Sequence, residues 1–282
     1  MDQRRTQLQG LFDQMAPTYD HVGVEFFGPI AAGLVAELDP EPGERVLDVG
    51  CGRGAVLSRV ARTVGSTGSV LGIDFSPAMV EASRSVAEAA GLTHVDIKVM
   101  DAQDPDLPTA HFDAIASSLV LFFLPDPAQA LSRWVDSVRP GGRVGISTFA
   151  QWDPGWEQLN AAFDPWLPDQ LRQSPTPGAE GPFASDAGVE SLFTGAGLTS
   201  VRTATAEIVV LFADVSRWEA FTWSTGQRPW WLAVPQEHRA EVLVRAASRF
   251  EQIAGPDGSV RLSVGVRYTL GVRPAQAVEA AS

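Results

Sequence analysis

The sequence predicts an α/β protein built on a doubly wound open sheet, and three observations carry that prediction. Between residues 45 and 149, short apolar runs alternate with amphipathic stretches, the rhythm of successive parallel βα units. Ser76-Pro77 and Asp126-Pro127 each set a capping side chain directly before a proline at a first helical position. Gly91 and the run Arg139-Pro140-Gly141-Gly142 stand where those two helices must stop before the next strand.

In chain order, residues 1–40 form a helical cap, and residues 41–150 form a core with strands predicted at 45–49, 69–73, 95–99, 112–117 and 143–149. Past 150 the texture changes. Residues 151–182 are rich in Pro and Trp, lack periodicity, and are too long for an ordinary connection, which marks a functional loop or lid. A helical stretch at 185–197 completes this first insertion, 151–197. An alternating segment at 200–212 reads as the sixth strand, within 198–213. A second helical insertion covers 214–258, opened by Asp214-Val215-Ser216 and broken by Gly255-Pro256-Asp257-Gly258. The last strand is placed at 261–272, within 259–274, and 275–282 is a loose tail, so the sheet has seven strands.

Composition excludes several function classes. The chain has 282 residues, 21 Lys+Arg against 34 Asp+Glu and a net charge of −13, with 45% hydrophobic residues. Such an acidic surface repels phosphate backbones, so nucleic acid is not an expected partner. The single Cys51 and the four His at 21, 94, 111 and 238 offer no ligand spacing for zinc, and no metal is expected. The longest apolar run, 115–124, is interrupted by Ser117 and Ser118 and falls far short of the roughly 20 residues that span a bilayer. The start MDQRRTQLQG has no apolar stretch behind its arginines, so a cytoplasmic address is the expectation. A homodimer is left open.

The most informative stretch is LDVGCGRGAVL, residues 47–57. Its glycines permit a tight strand-to-helix turn on which a ligand lies against bare backbone. Gly50, Gly52 and Ala55 also satisfy the dinucleotide pattern, which would seat a pyrophosphate on the helix N-terminus. Asp48 separates the two readings: a carboxylate two residues before the first glycine repels a pyrophosphate and suits a ligand carrying an ammonium and a sulfonium. Asp74 ends the second strand, where it can accept ribose hydroxyls, and Asp101 follows the third, where it can accept an adenine amine. Three acids at successive strand ends point into one crevice.

These residues resemble the class I S-adenosylmethionine-dependent methyltransferases, especially the small-molecule branch that includes ubiquinone and menaquinone biosynthesis enzymes. The resemblance implies a Rossmann-like methyltransferase fold with S-adenosyl-L-methionine as cofactor and S-adenosyl-L-homocysteine as product. By position it assigns cofactor contacts to Asp48, Gly50 and Gly52, to Asp74, and to Asp101 with Ala102, while Phe75 and Met79 flank the adenine. The segment FDQMAPTYD, residues 12–20, is similar to the family's F-D-x-x-A-x-x-Y-D, whose tyrosine, here Tyr19, closes over the cofactor. Ser117 and Ser118 occupy the place where the methionine amino group is met. Family members often carry a His in the segment that here reads Phe122-Phe123-Leu124-Pro125, so a base is absent there.

Because the N-terminal segment covers the reacting methyl in the proteins this sequence resembles, His21, beside Tyr19 and Asp20, is the candidate general base, and an ordinary histidine takes a proton near neutrality. Seven Trp lie outside the sheet core, and their concentration in the two insertions predicts an aromatic roof over the acceptor. Phe122, Trp152, Trp156, Trp223, Arg228 and Trp230 are the candidate substrate contacts. Aromatic faces stabilise nearby cations by about 0.5–2 kcal/mol, which suits a sulfonium. The expected substrate is a small aromatic or apolar metabolite methylated on O, C or N. Bacterial specialised metabolism follows from the resemblance and from a chain with twenty Arg and one Lys. Two alternatives stay open: a methyltransferase-fold protein that catalyses a cyclisation or serves as a scaffold, and an NAD-dependent oxidoreductase.

Overall fold

The computed structural model describes residues 3–172 and 178–275. Part of the first insertion, 173–177, and nearly all of the expected tail lie outside the described residues. Two helices, α1 (Gln3–Met15) and α2 (Phe27–Leu38), precede the sheet. The core then runs β1 (Arg45–Val49), α3 (Leu57–Val64), β2 (Ser69–Asp74), α4 (Pro77–Ala89), β3 (Val95–Val99), β4 (Phe112–Ser118), α5 (Pro127–Ser137) and β5 (Val138–Trp152). The remainder is α6 (Pro154–Asn160), α7 (Asp169–Arg172), α8 (Asp186–Gly195), β6 (Thr199–Phe212), α9 (Val215–Ser224), α10 (Arg228–Ala233), α11 (Arg239–Ile253) and β7 (Val260–Val272). No helix among the described residues is long and apolar enough to cross a membrane.

The helix starts form as their side chains dictate. Ser76 Oγ accepts the Met79 amide at 3.1 Å and Asp126 Oδ1 accepts the Gln129 amide at 2.9 Å, each with proline next in the chain. The expected break at residues 139–142 takes another form. This run belongs to β5, as an irregularity against β4 where Phe112 faces Val138 and Ala114 already faces Arg143. A Cβ on Gly142 would lie 2.6 Å from the Asp113 carbonyl oxygen, so glycine is what lets the strand pass.

The seven strands stand in the order β3-β2-β1-β4-β5-β7-β6. β1 to β5 pair in parallel, whereas β7 is antiparallel to both β5 and β6, which makes the sheet mixed at one edge. Side chains alternate across it: Val46, Ala114 and Ala116 join the cluster under α2 and α3, and Leu47, Ile115 and Ile146 join the one under α5 and α8. The stretch read as a loop after residue 150 is partly helical. Asp153 caps α6 by accepting the Gly155 amide at 2.7 Å, and Trp156 Nε1 donates to Ser263 O at 2.9 Å, tying that helix to β7. The two insertions then share a core in which Phe163 meets Trp231 at 4.8 Å and Trp218 at 5.7 Å.

α2 lies on the sheet through a close contact at Gly33, where an added Cβ would come 2.2 Å from the Tyr268 hydroxyl and 2.4 Å from Cζ. Gly33→Ala should therefore destabilise the fold by about 1–3 kcal/mol, despite the better helix propensity of alanine. Denaturant unfolding is expected to show this loss and its suppression in a Gly33→Ala, Tyr268→Val double variant.

Candidate active site

The sheet reverses its winding at β1, whose neighbours β2 and β4 lead in opposite directions, and a crevice opens at their carboxyl ends. Residues 50–54 turn across it. Gly50 has φ 69°, and a Cβ there would lie 2.3 Å from Val120 Cγ2; Gly52 has φ 50° and faces open space. The first glycine thus admits a neighbour, and the second leaves bare backbone for a ligand.

Two acids at this turn are buried, Asp48 at 1% exposure and Asp74 at 8%. Asp74 shapes the turn, with Oδ2 accepting from the Gly52 amide and Oδ1 from the Ser76 amide, both at 2.9 Å. Burial pushes its pKa up against the pull of those donors. Neither oxygen of Asp48 makes a hydrogen bond of ordinary geometry. Burial first, and then the nearby Asp74, push the Asp48 carboxyl up to about 7, with the backbone of Leu57 compensating in part. The sequence reading took Asp48 as a standing negative charge. In the free protein it instead shares a proton near neutrality, and an arriving cation restores its charge.

Asp101 accepts from the Gln103 amide at 3.0 Å and pairs with Arg5 at 2.9 Å, while Asp104 pairs with Arg133 on the surface. Trp134 Nε1 holds the Ala102 carbonyl at 2.8 Å, which fixes this turn to α5. Phe75, Met79, Asp101 and Ala102 all line the crevice. α1 straps across it: Gln9 Nε2 donates to Phe75 O at 2.9 Å, Asp13 Oδ1 accepts from Ser76 Oγ at 2.5 Å, and Arg53 donates to Ala16 O. Phe12 sets its edge against Phe75 at 5.8 Å. Tyr19 stacks on Phe27 at 4.4 Å, and burial, with Asp20 and Asp74, holds its phenol far above its ordinary value. Tyr19 is therefore a hydrogen-bond donor and no base. His21 is exposed on the cavity lining, its amide held by Thr18 O at 3.0 Å.

The crevice continues into an aromatic chamber, and together they enclose about 1780 Å³. That exceeds the roughly 300–1,000 Å³ of a site for one small ligand, so two reactants fit side by side. Phe122, Trp152, Trp156 and Trp230 line it as expected, with Trp152 5.4 Å from Trp156 and 4.8 Å from Phe149. Three expected contacts do not reach it. Ser117 is turned into the sheet, donating to Val49 O at 3.0 Å, and Ser118, bonded to Ser147 at 2.8 Å, lines the cavity in its place. Trp223 stacks flat on Trp231 at 5.2 Å, away from the chamber, with the Arg228 and Arg239 guanidiniums 5.6 and 5.3 Å from its ring. Arg228 is spent there, donating to Trp223 O at 3.2 Å.

Sequence reasoning missed Gln9 and Asp13 as parts of the strap, although the four-residue spacing puts them on one face of α1. Among the described residues no three His, Cys, Asp or Glu gather to hold a metal ion.

Residues 46–142 match the family described as a methyltransferase domain. Nocamycin O-methyltransferase of Saccharothrix syringae is 33% identical over 277 residues, covering 94% of this chain and 98% of that protein. Aklanonic acid methyltransferase DauC of Streptomyces sp. (strain C5) is 42% identical over 167 residues, 59% of this chain and 76% of that one. The YcgJ protein from Bacillus subtilis shares the fold, with a TM-score of 0.58 and 15% identity over 87% of this chain and 98% of its own.

Because the folded state raises the Asp48 pKa from about 3.9 in the unfolded chain to about 7, the folded state binds the extra proton between those values. The cost of Asp48 to stability should then grow as pH rises through that window and level off above it. Asp48→Asn is expected to stabilise the ligand-free protein by up to about 4 kcal/mol at alkaline pH and by little near pH 4. Unfolding curves for the two proteins across this range provide the check; a gap independent of pH would contradict the assignment.

Proposed function

Since this chain belongs to the class I S-adenosylmethionine-dependent methyltransferases, we propose that it methylates an oxygen of a small, uncharged aromatic or apolar metabolite of bacterial specialised metabolism. Oxygen is chosen over carbon and nitrogen on the name of the relative that aligns over nearly the whole chain. The observation that carries the reading is the buried carboxyl of Asp48 with no side-chain partner, which lines one cavity with the uncrowded Gly52 and the aromatic chamber. These residues fit the cofactor: an anion with no partner awaits a cation, and a position without a side chain leaves room for it. Family membership displaces the dinucleotide alternative.

When bound, S-adenosylmethionine supplies an electrophilic methyl group on a sulfonium. Asp48 ionises against the ligand's positive charge, and Asp74 keeps lone pairs for the ribose hydroxyls beyond those engaged by Gly52 and Ser76. Asp101 and Ala102 with Phe75 and Met79 enclose the adenine, and Ser118 meets the amino-acid end. Tyr19 donates its phenolic hydrogen bond at the closure without changing charge. Phe122, Trp152, Trp156 and Trp230 exclude water from the acceptor, so the reactants meet in a low dielectric and in a fixed orientation. His21, exposed on the cavity lining, would take the proton that the acceptor hydroxyl loses on methylation.

Incubation with S-adenosylmethionine and oxygenated aromatic acceptors should release S-adenosylhomocysteine and give a methyl ether assignable by NMR. Cofactor bound but never converted, across such a panel, would instead support the cyclisation or scaffold reading. Asp74→Ala should weaken S-adenosylhomocysteine binding by about ten-fold or more in calorimetry. Affinity for S-adenosylmethionine should rise with pH up to about 7 as Asp48 gives up its proton, and Asp48→Asn should flatten that rise. His21→Ala should lower turnover about 10²-fold at unchanged cofactor affinity; full activity would remove it as the base.

A further inference from the structure

The ladder between β5 and β7 holds one extra residue. Phe149 faces Val266 and Trp152 faces Val264, so β5 takes three steps, from 149 to 152, where β7 takes two, from 266 to 264. Ala150 and Gln151 thus form a β-bulge against Gly265, and a bulge re-aims the side chains that follow it. In a regular ladder Gln151 would face Val264, and Trp152 would turn to the opposite side of the sheet. The extra residue instead brings Phe149 and Trp152 to one face, where both line the cavity with their rings 4.8 Å apart.

Two features of β7 hold the bulge. Gly265 leaves it room, since a Cβ there would lie 3.0 Å from the Gln151 amide nitrogen and 3.2 Å from Ala150 Cβ. Arg267 is the one basic residue buried among the described residues, at 8% exposure. Next in the chain to Val266, it projects from the other face of the sheet. There Nη1 donates to Phe149 O, the carbonyl from which the bulge departs, and to Phe183 O, while Nε donates to the Asp186 carboxylate. We propose that Arg267, acting through this carbonyl and the bulge, is a positioning residue for the acceptor: it seats Trp152 against Phe149 as the wall on which a flat aromatic ring lies. None of its hydrogen bonds among the described residues reaches the turns at 50–54, 74–79 or 101–103, so its effect belongs to the acceptor end alone. This assignment rests on the proposed methyl transfer, whose own test is the release of S-adenosylhomocysteine.

The test uses binding, so that turnover does not enter it. Naphthol, a neutral flat ring, is titrated into the protein saturated with S-adenosylhomocysteine, and S-adenosylhomocysteine into the free protein. Arg267→Met should weaken naphthol binding about ten-fold and leave S-adenosylhomocysteine affinity within about two-fold. Gly265→Ala, which crowds the bulge and removes no charge, should do the same. Arg267→Lys keeps a donor for the Phe149 carbonyl and should recover most of the lost affinity. Gly33→Ala, destabilised through its contact with Tyr268, is the control for a merely structural effect and should bind naphthol as the wild type does. No naphthol binding by the wild type overturns the proposal, as do unchanged naphthol affinity in the variants, equal losses for both ligands, or a loss in Gly33→Ala matching that in Arg267→Met. Should Arg267→Met fail to fold, Gly265→Ala decides. Retained binding of S-adenosylhomocysteine with naphthol indifferent to the variants strikes this inference and leaves the methyltransferase reading intact.

Discussion

A buried acid with no side-chain partner, eased only by the Leu57 backbone, sits where water would never leave it, and the rest of the fold holds it there. Asp48 cannot swing out, because its strand is paired on both sides, to β2 from Arg45 through Val49 and to β4 from Val46 through Asp48. Its neighbours Leu47 and Val49 are wholly buried. Asp74 takes the amides of Gly52 and Ser76 and thereby fixes the turn that follows β1. Packing across the sheet sustains an electrostatically unfavourable group at the point where a cationic ligand compensates it.

The aromatic residues divide by the same logic of satisfaction. Trp156 and Trp231 spend their N–H groups on Ser263 and Thr222 and so fasten the lid to the sheet and to itself. Trp223 faces two guanidiniums outside the chamber. Trp152, on the cavity wall, and Trp218, packed on Phe163 in the lid core, leave their N–H groups unpaired. The lid is therefore a packed cap with its own core, and only part of its aromatic surface is available to a substrate.

Much of this was legible in the residues. β1, β2 and β4, largely buried on both faces, read as short apolar runs, the edge strand β3 reads as an alternation, and the Ser76-Pro77 and Asp126-Pro127 starts announce their helices, so β1 to β4 fell where expected. The antiparallel placement of β7 between β5 and β6 had no local signal, because strand direction is decided by pairing between residues such as Ser147 and Tyr268 that lie far apart in sequence. Prolines misled in the first insertion: Pro154 opens α6 behind its Asp153 cap, yet a run of prolines reads as loop. The three acids were found because strand ends in this topology converge. Trp223 and Arg228 were misplaced because residue type does not tell which side of a short helix meets the cavity. The unsatisfied state of Asp48, Trp152 and Asn160 exists only once the surrounding chain is packed, and no spacing encodes it.

β5 carries Ser147, bonded to the cavity-lining Ser118, and Trp152 further along the same strand; β4 pairs with it as far as Ser147, and β7 runs alongside to Trp152 with an irregularity after Phe149. Five residues of strand hold those two positions at most about 17 Å apart. The strand acts as a ruler, independent of how the surrounding helices are composed. Replacing α6, α9 and α10 would change what lines the cavity while leaving that spacing as it is.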